Sequence, residues 1–307
     1  MAFFLGVDGG GTKAVLALGD ETRELARVRT GTIKRMKTDA ATAEANLRSA
    51  LNDLESETGV AARSIARCCV GTAGESVPLV TDWLRDAFGR HVGGELVIVG
   101  DVEIALDSAF FGKRGVLALA GTGSNVAGRA ATGAVVRAGG WGPALADQGS
   151  GHFLGLESLR RGFLAIDEGR PTRLLEAARE FWGLPSVSAL IEFANARPAP
   201  DFSKLAPGVV ALAEEGDAVA REVVNQAGRD LAMLAGLVVE HIRRIEPQGG
   251  DATFETPAVA VAGSILEHVT GVREALTLAL AERYPGILVL EKPADPPAGA
   301  LWRARQQ

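Results

Sequence analysis

The sequence predicts an α/β fold built from two related halves. Short apolar segments alternate with segments of helical periodicity along the chain, as expected for sheets that are covered by helices. Two apolar segments end in glycine-rich turns, at residues 9–13 and 121–124, and another apolar segment follows each turn. The two turns lie about 110 residues apart, so they indicate two related halves rather than an array of many short repeats.

Length and composition describe an ordinary water-soluble protein. The chain has 307 residues, more than one small core usually organises, so two domains or lobes are expected. Hydrophobic residues make up 47% and charged residues 23%, and the mean hydropathy is +0.14. The net charge of −6 argues against a nucleic-acid partner, because the chain has no basic excess to meet phosphate backbones.

A cytoplasmic location is expected. No apolar run approaches the ~18 residues of a membrane helix, and no basic segment with a cleavage site precedes the first apolar segment. Cys68 and Cys69 are adjacent, so on a strand they point to opposite faces and form neither an easy disulfide nor a metal site. We therefore expect no membrane partner and a reducing environment.

The first half opens with a predicted β-hairpin. Residues 3–8 and 14–18 are apolar, and glycine-rich residues 9–13 connect them. A phosphate-binding P-loop and a dinucleotide-binding fingerprint both open a helix, so the strand that follows here excludes both motifs. Residues 39–58 then have apolar positions at helical spacing, with Asp39 as a possible N-cap.

The remaining elements follow from the same periodicities. The predicted strands are residues 65–71, 95–101, 115–120, 124–129, 257–262 and 286–292. The predicted helices are residues 76–90, 102–112, 152–168, 172–182, 186–197, 206–216, 217–245, 264–269 and 300–307, the last preceded by a proline-rich bend. The chain is expected to cross between lobes near residues 110–115 and again near 292. This divides it into residues 1–112 plus 293–307 and residues 113–292.

The glycine turns predict a nucleotide-phosphate site. Glycines at strand ends let backbone N–H groups approach an anion without interference from a Cβ atom. A single such turn is equally consistent with a plain hairpin. The chain, however, has two turns that each carry a threonine, Thr12 and Thr122, and a third glycine turn at Gly263 and Ser264. Together they favour phosphates that are held from two sides.

Five segments carry a resemblance to a known family: "GVDGGGTK", "VGDVEIAL", "LAGTGSNV", "GGWGPALADQGSG" and "VAVAGSI". In this order they resemble the N-acetylglucosamine kinase-like branch of the BadF/BadG/BcrA/BcrD ATPase family, within the actin/hexokinase/Hsp70 superfamily. The resemblance implies a two-lobed actin-like ATPase fold (ribonuclease H-like), with duplicated βββαβαβα-type halves around a nucleotide cleft. It also implies ATP and Mg²⁺ as cofactors. The implied activity is transfer of the γ-phosphate to a hydroxyl, O6 by expectation, of N-acetylglucosamine or a related sugar such as N-acetylmuramic acid or glucosamine.

The resemblance also implies a role for individual residues. Asp101 matches the general base that accepts the hydroxyl proton, and Asp8 matches an acidic residue associated with magnesium. The positions that match ATP-phosphate contacts are Gly9, Gly10, Gly11, Thr12, Lys13, Gly121, Thr122 and Gly123. Those that match adenosine contacts are Gly263 and Ser264, and those that match sugar contacts are Asn125, Gly140, Trp141 and Asp147.

Three of these residues have a plain structural interpretation as well. Asp101 could cap the helix that follows it, and Asp147 could cap the helix that begins near residue 150. Trp141 could be an apolar plug rather than a platform for a sugar face, and the plug is slightly favoured. An alternative function is also open, because other members of the family are ATPase activators that drive electron transfer into a dehydratase. Those activators hold an iron–sulfur cluster between subunits with separated cysteines, which the adjacent Cys68 and Cys69 do not match.

The chain departs from the family pattern at two places. The family often has Asp-Glu-Gly-Ser where this chain has Gln148 after Asp147, so one negative charge is missing. The segment "RTGTIKRMKTD" lacks the usual Ser/Thr-Asn pair and carries four basic residues: Arg29, Lys34, Arg35 and Lys37. It is either a solvated basic loop or a loop that meets an acidic substituent, such as a lactyl carboxylate or a phosphate, by charge-assisted hydrogen bonds. A homodimer is expected, since it is the commonest assembly of soluble enzymes.

Overall fold

The structure, a computed structural model, describes residues 1–246 and 254–306. Within it the chain divides into two compact units. The first comprises Met1–Arg114 together with Ala294–Gln307, and the second comprises Gly115–Pro293. The chain thus leaves the first unit once and returns to it once.

Nine strands and eleven α-helices are present in the described residues. The strands are β1 (Phe3–Gly9), β2 (Lys13–Gly19), β3 (Glu24–Gly31), β4 (Ile65–Gly71), β5 (Glu95–Val99), β6 (Gly115–Ala120), β7 (Ser124–Arg129), β8 (Val135–Ala138) and β9 (Val259–Ala262). The helices are α1 (Ala40–Thr58), α2 (Pro78–His91), α3 (Asp101–Phe110), α4 (Gly151–Asp167), α5 (Leu174–Phe181), α6 (Val187–Ala194), α7 (Ala206–Glu214), α8 (Ala218–Ile245), α9 (Ser264–His268), α10 (Thr270–Arg283) and α11 (Pro296–Arg305). Among these residues, no helix combines the length and the apolar character needed to cross a membrane.

The two units share one sheet design. In the first unit the strand order is β3-β2-β1-β4-β5, with β1 antiparallel to β2 and parallel to β4. In the second unit the order is β8-β7-β6-β9, with β6 antiparallel to β7 and parallel to β9. Each predicted glycine turn therefore connects the first two strands of a unit, and both predicted hairpins are confirmed.

The core of the first unit lies between its sheet and helix α1. Asp39 caps this helix by accepting a hydrogen bond from the Thr42 N–H, as the sequence predicts. Leu47, Leu51 and Leu54 then project at helical spacing from one face and are buried against the sheet. Cooperative burial of this face anchors the strands whose ends carry the candidate site.

The opposite face of the first sheet is covered by α3 and α11. The Arg303 guanidinium on α11 pairs with the fully buried carboxylate of Asp107 on α3. Burial of two charges is compensated when they pair with each other, so this contact ties the returning end of the chain to the first unit. Ser108 strengthens the connection, because its hydroxyl accepts a hydrogen bond of 2.9 Å from the Asp295 N–H.

The second unit is organised around the long helix α8. Asp217 caps its first turn by accepting hydrogen bonds from the N–H groups of Val219 and Ala220, both at 3.0 Å. One face of α8 carries Leu231, Val238 and Ile242, which are fully buried against the second sheet and its neighbouring helices. Buried residues of α7, α9 and α10 belong to the same apolar core.

Two sequence predictions about local structure are wrong, and two strands are not predicted. Residues 286–292 do not form a strand; only Val289 makes a bridge, to Val259. The partner strand β9 has four residues, so it offers little edge for a further strand. The start of the basic segment lies in β3, which the sequence interpretation missed together with β8. The last helix begins at Pro296 rather than Ala300, because proline at a first helical position sacrifices no hydrogen bond.

Candidate functional site

The first part of the candidate site is the glycine turn between β1 and β2. The Thr72 hydroxyl donates a hydrogen bond of 3.0 Å to the Gly9 carbonyl, and the Thr32 hydroxyl donates one of 2.8 Å to the Gly10 carbonyl. A Cβ atom on Gly10 would lie 2.8 Å from the Lys13 carbonyl, so this position has no room for a side chain. Gly11, Thr12 and Lys13 are exposed. The carbonyl groups of Gly9 and Gly10 are thus hydrogen-bonded within the protein, while residues 11–13 at the tip of the turn face solvent.

Asp8, at the end of β1, carries a perturbed carboxyl group. The pKa of Asp8 is raised to about 6 from its ordinary 3.8, mainly by burial and next by the negative charge of Asp101. The ammonium of Lys13 acts in the opposite direction, whereas Asp295 adds a smaller upward effect. Asp8 and Asp101 lie at the same edge of the first sheet, because β1 and β5 both run parallel to β4 and end there, and their charges interact.

Asp101 lies where β5 passes into α3. Gly100 occupies the N-cap position and Asp101 is the first residue of the helix. Its Oδ1 accepts a hydrogen bond of 2.9 Å from the N–H of Val102. The interpretation of Asp101 as the N-cap residue is therefore wrong, and its place at the carboxyl end of a parallel strand is the position expected for a ligand-binding side chain.

The second glycine turn, residues 121–124, is braced by the start of α4. The Gly151 N–H donates a hydrogen bond of 2.7 Å to the Gly121 carbonyl, and the His152 N–H donates one of 3.3 Å to the Thr122 carbonyl. Thr122 and Gly123 are exposed. As in the first unit, the carbonyl groups of the turn are engaged within the protein while its tip faces solvent.

Asp147 belongs to this second turn rather than to a helix cap. Its Oδ1 accepts a hydrogen bond of 2.7 Å from the Ser124 N–H and lies 3.3 Å from where a Gly123 Cβ atom would stand. Ser150 is the N-cap of α4 and accepts a hydrogen bond of 3.0 Å from the Phe153 N–H. The capping interpretation of Asp147 is therefore wrong.

Two further predicted sugar-contacting residues lie together next to this turn. A Cβ atom on Gly140 would stand 2.8 Å from Cγ of Asn125, so the glycine packs directly on the side-chain amide. Oδ1 of Asn125 is buried and has no hydrogen-bond partner among the described residues. A buried carbonyl oxygen without a donor is costly, so this atom is available to a donor that a ligand brings.

Trp141 does not plug an apolar gap. The residue is 73% exposed, and its backbone N–H donates a hydrogen bond of 3.2 Å to the Ala146 carbonyl. The slightly favoured plug interpretation is wrong, and the exposed indole ring is open to a stacking partner.

The third glycine turn lies beside the second because β6 and β9 are parallel neighbours. Gly263 has a φ of +89°, and a Cβ atom there would lie 2.5 Å from the Ala120 carbonyl. Its N–H donates a hydrogen bond of 2.9 Å to Oε1 of Glu267. Ser264 begins helix α9, and an open groove of about 540 Å³ runs along α9 and α10. The residues that line the groove are Leu266, Glu267, Thr270, Arg273, Glu274, Thr277 and Leu278.

Sequence reasoning missed several supporting residues of the site. Thr32 and Thr72 hold the first turn, Asp295 adds charge near Asp8, and Glu267 holds Gly263. Thr72 carried a weak signal, since it follows the glycine that ends an apolar strand. Thr32 and Asp295 are distant in sequence from the groups that they support. Glu267 is close to Gly263 in sequence, but like the other two it belongs to no recognisable motif.

The carboxylates of the first unit are compatible with magnesium. Among the described residues, no group of three or more acidic, histidine or cysteine side chains forms a dedicated metal cage. Mg²⁺ is usually held by one or two carboxylates together with substrate phosphates and water, and it favours hard oxygen donors. The partly buried carboxyl of Asp8, with its raised pKa, is such a donor and would be neutralised by a cation.

Comparisons with known proteins agree over nearly the whole chain. The sequence model of the BadF/BadG/BcrA/BcrD ATPase family matches residues 5–301. The N-acetylmuramic acid/N-acetylglucosamine kinase of Clostridium acetobutylicum is 25% identical over 319 residues, covering 100% of this chain and 99% of the relative. The N-acetyl-D-glucosamine kinase of Dictyostelium discoideum is 28% identical over 315 residues, covering 97% and 96%.

A solved structure shows the same fold. A Chromobacterium violaceum protein described as an N-acetylglucosamine kinase superposes with a TM-score of 0.75 at 25% identity. The match covers 100% of this chain and 99% of that one. The predicted fold class, that of the two-lobed actin-like ATPases, is therefore confirmed.

Proposed function

The chain belongs to the BadF/BadG/BcrA/BcrD ATPase family, and on that premise we propose that it is an ATP-dependent amino-sugar kinase. The observation that carries this proposal is the closeness of Asp8 and Asp101 in the unit that also presents the exposed turn at residues 9–13. Similarity to two curated amino-sugar kinases along the full chain supports it. The acceptor that we propose is N-acetylglucosamine or a close relative.

Phosphoryl transfer needs mainly alignment and charge neutralisation, and the proposed residues divide these tasks. In this proposal the turns at residues 9–13 and 121–123 contact the ATP phosphates. Gly263 and Ser264 contact adenosine. The exposed backbone of both turns supports this assignment. Mg²⁺, when bound, neutralises the phosphates, and Asp8 is the residue that we propose to hold it.

Asp101 is the proposed general base. It accepts the proton of the sugar hydroxyl while the hydroxyl oxygen bonds to the γ-phosphorus and the bond from that phosphorus to the β-γ bridging oxygen breaks, so that ADP leaves. We assign recognition of the sugar to Asn125, Gly140, Trp141 and Asp147. The orphan oxygen of Asn125 and the exposed ring of Trp141 support this part of the proposal.

The dehydratase-activator alternative is disfavoured. Both cysteines are fully buried within β4, where they form part of two different apolar clusters. Burial also raises the pKa of each thiol, Cys69 to about 12, which opposes the thiolate form that binds iron. An iron–sulfur cluster shared between subunits would need exposed cysteines.

A coupled assay of ADP release tests the proposed function. N-acetylglucosamine, N-acetylmuramic acid, glucosamine, N-acetylmannosamine and glucose serve as acceptors, each with and without Mg²⁺. We expect ADP release that depends on an amino sugar and on Mg²⁺. ATP hydrolysis that no sugar stimulates would contradict the kinase proposal and favour a nucleotide-binding regulator.

We further propose a cytoplasmic homodimer, on more general grounds. Homodimers are the commonest oligomers of soluble enzymes, and ATP, one substrate of the proposed reaction, is an intracellular metabolite. Light scattering after size exclusion measures the mass directly: twice the 31.9 kDa of one chain is expected, and a single-chain mass would refute the dimer.

A further inference from the structure

The basic loop at residues 32–38 is anchored to the first glycine turn. The Thr32 hydroxyl that donates to the Gly10 carbonyl also accepts a hydrogen bond of 3.1 Å from the Lys34 N–H. Asn46 on α1 donates a hydrogen bond of 2.9 Å to the Thr32 carbonyl. The backbone of Lys34 is therefore fixed relative to the turn rather than free in a solvated loop.

The other three basic residues of the segment have surroundings that differ from those of Lys34. Arg29 is exposed on β3, where it pairs with Val15. Nη1 of Arg35 donates a hydrogen bond of 2.7 Å to the Thr38 carbonyl, so this guanidinium braces its own loop. Lys37 lies over the glycine turn, with Cε 3.8 Å from where a Gly11 Cβ atom would stand. Lys34 is left as the residue with a different environment.

Lys34 is half-buried next to the proposed general base. Burial lowers the pKa of its ammonium and the charge of Asp101 counteracts this effect. Lys37 lowers the pKa further, and Glu75 counteracts least. Lys13, by contrast, acts on Asp8 at the phosphate end. Within the first unit, Lys13 therefore interacts with Asp8, the proposed metal-binding carboxylate. Lys34 interacts with Asp101, the carboxylate that is proposed to orient the acceptor.

Within residues 1–246 and 254–306, the ammonium of Lys34 has no direct partner, since neither a hydrogen bond nor an ion pair holds it. A half-buried cation that has lost part of its hydration without such a contact is unfavourable unless an anion compensates it.

We propose that Lys34 is a specificity-determining residue that binds a carboxylate carried by the acceptor sugar. The inference rests on the proposed kinase function and names one acceptor class within it, an amino sugar with an acidic ether or acyl substituent. A charge-assisted hydrogen bond from the ammonium to that carboxylate favours such an acceptor over its neutral counterpart.

The test compares two acceptors that differ only in the acidic group, N-acetylmuramic acid and N-acetylglucosamine. The measured quantity is the ratio of kcat/KM for the acidic sugar to kcat/KM for the neutral one. In Lys34→Met, which keeps the length of the side chain but removes its charge, we expect this ratio to fall by about tenfold to a hundredfold. Lys34→Arg is expected to retain most of the ratio. Arg29→Gln, which removes an exposed charge of the same segment, is expected to leave it unchanged.

The outcomes separate the inference from the function on which it rests. An unchanged ratio in Lys34→Met overturns the inference, and so does an equal loss for both acceptors, which would place Lys34 on the transferred phosphoryl group. Turnover of the neutral sugar alone by the unaltered protein overturns the inference but leaves the kinase proposal standing. If the unaltered protein phosphorylates neither of these sugars and no other amino sugar, the kinase proposal itself is overturned. Thermal melting of each variant shows whether a loss comes from unfolding.

Discussion

The backbone N–H of Ser124 donates a 2.7 Å hydrogen bond to the carboxylate of Asp147, 23 residues further along the chain. The Ser124 hydroxyl also donates a 2.6 Å hydrogen bond to the Gln148 carbonyl. The second glycine turn is consequently fixed to the segment that leads into α4. Any ligand that contacts the turn and Asp147 together meets a geometry set by these two bonds.

Asp147→Ala is expected to lose stability and sugar binding together. The variant leaves the Ser124 N–H without its acceptor, which costs about 1–3 kcal/mol in the free energy of unfolding. Asp147→Asn keeps an acceptor oxygen and is expected to fold with smaller loss but to raise KM for the sugar. Ser186→Ala, which removes the N-cap of α6, is the matched control for stability. A normal sugar KM in both Asp147 variants would remove this residue from the proposed site.

Asp101→Asn is expected to abolish phosphoryl transfer while nucleotide still binds. An amide cannot accept the hydroxyl proton, and loss of a general base typically lowers kcat by about 10²–10⁴-fold. Initial rates with saturating amino sugar and calorimetric titration with ATP separate the two effects. Asp82→Asn changes an exposed carboxylate of α2 and should have normal rates. A turnover close to that of the unaltered protein would exclude Asp101 as the base.

Asp8→Asn is expected to stabilise the metal-free protein at high pH but not at low pH. The pKa of Asp8 is about 6 in the folded protein and 3.8 ordinarily, so between these values the folded state binds more protons than the unfolded state. The stability of the unaltered protein therefore falls as the pH rises through this window. Above pH ~6 the ionised Asp8 lowers the free energy of unfolding by its full amount, about 1–3 kcal/mol. Below pH ~4 this destabilisation vanishes.

Melting curves in EDTA at pH 4 and pH 8 measure this difference. The gain in melting temperature should appear at pH 8 only, and Asp53→Asn, on the exposed face of α1, should show no such pH dependence. Equal gains at both pH values would mean that ionisation of Asp8 is not the cause. The variant should also lose activity if Asp8 holds Mg²⁺, so stability and function are expected to change in opposite directions.

Gly263→Ala is expected to weaken both folding and nucleotide binding. Its φ of +89° and ψ of +153° lie in a region that essentially only glycine adopts, at a cost of about 1–3 kcal/mol for a side chain, and the new Cβ atom would also lie 2.5 Å from the Ala120 carbonyl. Gly133 has a similar φ of +84° with nothing within 4 Å, so Gly133→Ala isolates the conformational cost. Urea unfolding of both variants should show a larger loss for Gly263→Ala. Equal losses in the free energy of unfolding would show that the backbone of β6 moves away from the new Cβ atom. An unchanged affinity for ATP would mean that Gly263 is not part of the adenosine site.

Local sequence signals predicted most elements of the fold. The N-cap Asp39 with leucines at helical spacing predicts α1, and the glycine-rich connections predict both hairpins, because each of these patterns acts over a few neighbouring residues. The pattern failed for residues 286–292. Their apolar composition suits a strand, but strand formation also needs a long enough partner edge, and that depends on the neighbouring β9.

The sequence by itself determined where the glycine turns lie and which acidic, amide and basic residues stand near them. Only the tertiary structure decided between alternative roles for the same side chain. Asp147 bonds to Ser124 rather than capping α4, the indole of Trp141 is exposed rather than buried, and Lys34 differs from its basic neighbours in its environment. The physical reason is that a turn or a cap is a local property of the backbone. Burial, electrostatic coupling and hydrogen bonds across 23 residues depend on segments that only folding brings together.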